Sequence, residues 1–155
     1  MTITPFLWFE TQAEEAMNYY LSVFKNGKTL SIHRAGGRVT GVEFELEGQR
    51  FMALNGGAPS RFTESISFFV SCDTQADIDR LWTTLIGDGG APSRCGWLKD
   101  KFGLSWQIIP SSLGRLLSGG GDAARAGRVL NAMLQMGKLD IARLQAAYDE
   151  QGATR

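Results

Sequence analysis

Histidine and cysteine are scarce in this chain, which has one of the first and two of the second. Cys72 and Cys95 lack metal-finger spacing and are too few for a disulfide framework. The sequence predicts two reduced thiols in a cytoplasmic protein. A lone histidine, His33, cannot supply a metal-binding pair, and it reads as a surface or edge residue. Neither charge sign is in excess, because 16 basic and 16 acidic residues cancel. No basic stripe therefore points to nucleic acid, and no acidic tail to a cation store. Long apolar runs are missing as well. MTITPFLWF, at the start, has no basic residue ahead of an apolar stretch too short for a signal or a membrane span. The chain also has no G-x-S-x-G elbow, no Walker loop and no H-E-x-x-H. Its scattered carboxylates do not suggest glycosidase chemistry.

What is present is ordinary for a compact protein: 155 residues, 43% hydrophobic and 21% charged. That length suits one unit or two small halves sharing a core. Ile3–Phe9 reads as a strand. Thr11 and Glu14 form a capping box before a helix over about Gln12–Phe24, with Ala13, Ala16, Met17, Tyr20 and Phe24 on one side. Thr29–Arg34 and Val39–Leu46 flank Ala35-Gly36-Gly37 as a hairpin. Gly48 then turns the chain into a strand over Gln49–Asn55.

The order restarts with a strand over Ser65–Cys72. Asp73 or Thr74 caps a helix carrying Ile78, Leu81, Trp82 and Leu85 inward. CGWLKDKFGLSWQIIP, Cys95–Pro110, reads as two short strands about the turn Asp100–Gly103. Lys99-Asp100-Lys101 looks like a solvated turn. TQAEEA at Thr11–Ala16 echoes TQADID at Thr74–Asp79, and EGQRFMALN echoes the stretch after Gly103. These echoes predict a duplicated strand–helix–strands unit, with halves near 1–57 and 64–110.

A helical extension follows over 111–155. Ser111–Ser118 begins a short helix, which Gly119–Gly121 breaks. Asp122 or Ala123 starts another, with Val129, Leu130, Met133, Leu134 and Met136 on one face, and Asp140 caps a last one. The amphipathic faces of this extension need cover, from the chain's own sheet or from a second copy.

TPFLWF at Thr4–Phe9, AEEAMNYY at Ala13–Tyr20, FMALNGG at Phe51–Gly57, the Cys95–Pro110 motif and Ala124–Tyr148 together resemble the PhnB-like branch of the vicinal oxygen chelate superfamily. That superfamily holds glyoxalase, bleomycin-resistance and dioxygenase proteins, and relatives in the branch are often labelled 3-demethylubiquinone methyltransferase-like. The resemblance implies an α+β fold of two paired βαβββ modules forming a cupped mixed sheet, with C-terminal helices added. It would span 1–110 as one domain and implies a homodimer. Metal-dependent members carry His, Gln or Glu ligands on the outer strands of each module. Aligned here, those positions fall near Pro5 and at Met52, Ser67 and Gln107. Shifting by one gives Phe6, Ala53, Phe68 and Ile108. Neither set suits a divalent ion, so no metal and no cofactor is expected.

Six residues are candidates for the cup. Gln107 hydrogen-bonds either a ligand or a neighbouring side chain. Met52 and Ser67 share its alignment logic. Arg50 is an anion anchor or a solvated strand end. Trp97 stacks on a planar ligand or fills the core, and Cys95, on the same strand face, is a reactive or an inert thiol. Trp8, Trp82 and Trp106 are expected between helix and sheet. The leading expectation is a protein that binds a small organic molecule. The alternatives are an enzyme, methyltransferase-like or of lyase or dioxygenase type, and an interaction module using Met133 and Met136.

Overall fold

The computed structural model describes residues 1–150. The chain forms two compact units, one over Met1–Arg61 and one from Phe62 onward. Each contains a four-stranded mixed sheet with one helix folded onto it.

In the first unit the order is β1 (Phe6–Phe9), α1 (Ala13–Val23), β2 (Gly27–Ala35), β3 (Arg38–Leu46) and β4 (Gln49–Asn55). The strands lie in the order β1-β4-β3-β2, with β1 parallel to β4 and the others antiparallel. The β2–β3 turn places Gly36 at φ 55° and Gly37 at φ 77°. Two positive φ values are what a tight two-residue hairpin demands, and glycine adopts them without steric cost. Alternation along β3 sends Val42, Phe44 and Leu46 to one face, where they are buried. Tyr20 of α1 stacks on Phe44 at 6.3 Å, and Phe44 on Phe51 at 5.4 Å. Burying such side chains contributes roughly 1.5–3 kcal/mol each, so this stack anchors α1.

Two details depart from the sequence expectation. The first strand starts at Phe6, and Ile3 is exposed. The α1 N-terminus makes no side-chain cap of its own. Instead Asn55 Oδ1, at the end of β4, accepts the Ala13 N–H at 2.8 Å, and this takes the place of the Thr11–Glu14 box.

The second unit repeats the plan with β5 (Phe68–Cys72), α2 (Gln75–Leu85), β6 (Ala91–Pro92), β7 (Trp97–Lys99) and β8 (Ser105–Pro110), in the order β5-β8-β7-β6. The strand expected from Ser65 begins at Phe68. Thr74 caps α2 by accepting the Asp77 N–H at 3.1 Å. Ile78, Leu81, Trp82 and Leu85 are buried as expected. The β7–β8 turn is not solvated at its centre. Asp100 is 2% exposed, because its carboxylate serves three donors. Oδ1 accepts from the Phe102 and Leu104 N–H groups at 2.9 and 3.1 Å, and Oδ2 from Trp106 Nε1 at 2.9 Å.

Three helices complete this unit: α3 (Leu113–Leu117), α4 (Ala123–Leu134) and α5 (Ile141–Asp149). Asp122 and Asp140 cap α4 and α5. Their core joins Leu113, Leu116, Val129, Met136, Leu139 and Leu144 to Ile109 of β8. Gln75 ties the extension to α2, donating to the Leu139 carbonyl at 3.1 Å and accepting the Ile141 N–H at 2.8 Å. The chain's own second module therefore covers this extension. Met136 is buried and Met133 packs against the same cluster, so neither forms the outward face expected of an interaction module. Leu130 and Leu134 turn outward instead, at 44% and 50% exposure. No helix among the described residues is long and apolar enough to cross a membrane.

Candidate functional site

Pleating gives each sheet a face covered by its own helix and an opposite face, open on the first sheet and met on the second by the C-terminal helices only at Ile109. On the second sheet, register aligns Phe69, Gln107 and Trp97 across three strands, and pairs Lys99 with Ser105 beside them. Phe69 is 61% exposed, whereas Trp106 and Leu98, one residue out of phase, are buried. Gln107 Nε2 donates to Ser67 Oγ at 2.9 Å. An open cleft of about 220 Å³ lies on this unit, lined by Glu64, Ser93, Trp97, Leu98, Lys99 and Ser105. Lys99 Nζ meets Glu64 Oε1 at 2.6 Å. The Lys99 hydrogen bond and its positive charge hold the Glu64 carboxyl below its ordinary range.

The first sheet's open face is more highly charged. Register aligns Phe6, Met52, Glu43 and Ser31. Arg50 Nη2 pairs with Glu43 Oε2, His33 Nε2 lies 3.7 Å from Glu43 Oε1, and Ser31 Oγ is 3.1 Å from His33 Nε2. The Arg50 hydrogen bond is the main cause that lowers the Glu43 carboxyl, outweighing the opposing effect of burial. Arg50 thus already holds a carboxylate from its own sheet. Trp8 does not lie between helix and sheet. It is 43% exposed on this face, with its indole N–H 3.4 Å from the Ala58 carbonyl oxygen.

The four positions aligned with metal ligands fall as two neighbouring pairs, one per sheet. The Met52 N–H donates to the Pro5 carbonyl at 2.9 Å, and Gln107 bonds Ser67. Their side chains supply a pyrrolidine ring, a thioether, an amide and a hydroxyl, with no anionic or imidazole donor. That donor set does not fit a divalent cation. Among the described residues no group of three His, Cys, Asp or Glu side chains is placed to hold one.

Cys95 is not beside Trp97 on a strand. It sits ahead of β7 at φ 56°, with its N–H donating to the Met136 carbonyl at 2.8 Å and Sγ 3.7 Å from the Met133 carbonyl oxygen. The thiol thus faces the C-terminal helices. Cys72 is buried, and burial, with the nearby Asp77 charge, pushes its thiol up to about 11. Of the six candidates, the structure gathers Gln107, Ser67 and Trp97 on the second sheet, and Met52 and Arg50 on the first. The sequence puts Ser105 on the side of Gln107 and Lys99 on that of Trp97 without marking either as a site residue, and it gives no sign of Glu64. Strand alternation from Trp97 and Gln107 places the first two, whereas Glu64 comes from a segment with no such signal.

A sequence model of the family described as 3-demethylubiquinone-9 3-methyltransferase matches residues 1–109. A solved structure from Bacillus cereus, described as a putative 3-demethylubiquinone-9 3-methyltransferase, PhnB protein, is 36% identical. It aligns over 71% of this chain and 99% of its own, with a TM-score of 0.66. Protein PA1353 from Pseudomonas aeruginosa is 19% identical over 71% of this chain and 97% of its own, at a TM-score of 0.57. A glyoxylase/bleomycin resistance protein/dioxygenase domain from Frankia sp. EAN1pec is 14% identical over 71% and 91%, at 0.50. The last two likenesses concern the fold alone. No curated protein matches the chain.

Proposed function

This chain belongs to the family described as 3-demethylubiquinone-9 3-methyltransferase, in its PhnB-like form with a glyoxalase-type fold, and we propose that it binds a small organic molecule on the open face of its second sheet. One observation carries this reading. Trp97, Lys99 and Ser105 line a cleft on the face that also presents Gln107. An aromatic surface with a few polar groups converging on one concavity is the usual make-up of a small-molecule site. Gln107 and Ser67 already satisfy each other, so a ligand would exchange that bond for its own.

The protein acts as a homodimer in this reading. The exposed Phe6, Phe69 and Ile66 are the kind of apolar surface that association removes from water. Native mass spectrometry of the purified protein tests both parts together. A dimer carrying an organic mass, which is lost in Trp97→Ala, is the expected result. A monomer that retains nothing, and whose amide spectrum no small molecule perturbs at Trp97, Ser105 or Gln107, would refute it.

The family's description favours a second reading, methyl transfer. The common S-adenosylmethionine-binding fold uses a glycine-rich loop between a parallel strand and a helix, as nucleotide folds do. Here the three strand-to-helix connections among the described residues run Glu10-Thr11-Gln12, Asp73-Thr74 and Ser111-Ser112, without glycine. Calorimetric titration with S-adenosylmethionine separates the readings, since saturable binding would move methyl transfer ahead.

A further inference from the structure

The cleft beside Trp97 contains one buried group that no other described residue serves. Ser105 is 1% exposed, and its Oγ has no hydrogen-bond partner among the described residues. Buried hydroxyls are as a rule paired, so an unpaired one at a cleft marks a place where a ligand atom completes the set. Its cross-strand neighbour is Lys99. The Lys99 ammonium is held by Glu64, whose side chain is 69% exposed and precedes β5 outside any helix or strand. An exposed pair of this kind adds little to stability and opens readily. Its geometry still shows that a carboxylate oxygen reaches Lys99 at the cleft wall. Trp97, on the same face of the same strand, adds a flat aromatic surface. A cavity of roughly 150 Å³ admits benzene, so about 220 Å³ suits a one-ring acid.

We propose that this cleft selects a planar aromatic carboxylate, and that Glu64 occupies the carboxylate position on Lys99 until the ligand displaces it. The ring lies against Trp97. One carboxylate oxygen takes the Lys99 ammonium from Glu64, and the other accepts the Ser105 hydroxyl proton in a hydrogen bond. This inference rests on the reading of the second sheet's face as a ligand site.

Benzoate and its neutral counterpart benzamide test it on the full chain, with binding followed by Trp fluorescence and by amide shifts at Trp97, Ser105 and Gln107. Benzoate should bind at least tenfold more tightly than benzamide. Lys99→Met should abolish that preference by weakening benzoate at least tenfold more than benzamide. Glu64→Gln should tighten benzoate severalfold, because the competing carboxylate is gone. Both substitutions are at exposed side chains, so folding is preserved. Equal binding of the two probes overturns the selection for charge while leaving the ligand face standing. Benzoate affinity that is unchanged in Glu64→Gln overturns the displaceable role of Glu64. Absence of shifts at all three residues with either probe overturns this inference, while the reading beneath it stands or falls on the native mass measurement.

Discussion

Trp106 Nε1 donates to Asp100 Oδ2 at 2.9 Å across the β7–β8 turn, and both residues are buried. The same carboxylate closes the turn through the Phe102 and Leu104 N–H groups. One side chain therefore fixes both the turn and the ring that packs under the second sheet, where Trp106 meets Phe68 at 5.4 Å. Asp100→Ala leaves three donors without their acceptor, and a buried donor without a partner costs about 1–3 kcal/mol. We expect a loss of about 2–4 kcal/mol in urea unfolding, since the three effects are not additive. Trp106→Phe keeps most of the ring and should cost less. A near-neutral Asp100→Ala would mean that the turn is held by its backbone alone.

Asn55 gives a second, separable test. Its Oδ1 caps α1 at the Ala13 N–H, and its Nδ2 donates to the Val39 carbonyl at 3.1 Å. Asn55→Ala should cost about 1–2 kcal/mol, the usual range for a lost cap. Thr11→Ala should stay within about 0.5 kcal/mol, because Thr11 caps nothing in this fold. The reverse ranking in thermal melts would restore the local capping box.

Cys72 should be chemically silent. Its thiol is pushed up to about 11, first by burial and then by the Asp77 charge. At pH 8 roughly one molecule in a thousand then carries the thiolate. In Cys95→Ser, a disulfide reagent should therefore reach Cys72 only when the protein is unfolded in urea. Rapid modification of the native variant would contradict the burial argument. The linkage sign is that of a raised pKa. The contribution to stability is complete below about 9, the unperturbed value, and is lost as pH climbs toward about 11.

How much was readable in the sequence depended on the range of the interaction. Gly36-Gly37, Thr74, Asp122 and Asp140 act on their immediate neighbours, and each performs the turn or cap its position suggests. Lys99-Asp100-Lys101 reads as a solvated turn because it is polar by itself, whereas burial of the Asp100 carboxylate rests on the turn's own N–H groups together with the indole on the next strand. Thr11 was misread because an acceptor from β4 reaches the helix first. On α4, Val129 and Leu130 are neighbours about 100° apart on the helix, so one narrow seam cannot bury both, and Leu130 stays outside. The candidate site followed the same rule. Alternation placed Gln107 and Trp97 on one face, whereas the Gln107–Ser67 bond and the Lys99–Glu64 pair join segments whose meeting no local pattern encodes.

The first sheet offers a pH test centred on Glu43. Arg50 is the largest cause of its lowered carboxyl pKa, with burial opposing and His33 assisting. Arg50→Met should therefore move the Glu43 titration upward, toward its unperturbed 4.5 or beyond, as read by carboxyl carbon shifts in NMR. A carboxyl lowered in the folded state contributes stability above its unfolded value and loses it as pH falls through the folded one. In the wild type this contribution is complete above 4.5 and drains away in more acid solution. The variant keeps only the share His33 supplies, so its urea midpoint should fall less steeply over the same acid range. An unchanged Glu43 titration would mean that Arg50 leaves the carboxylate in solution, and would free that guanidinium to meet an anion on the open face.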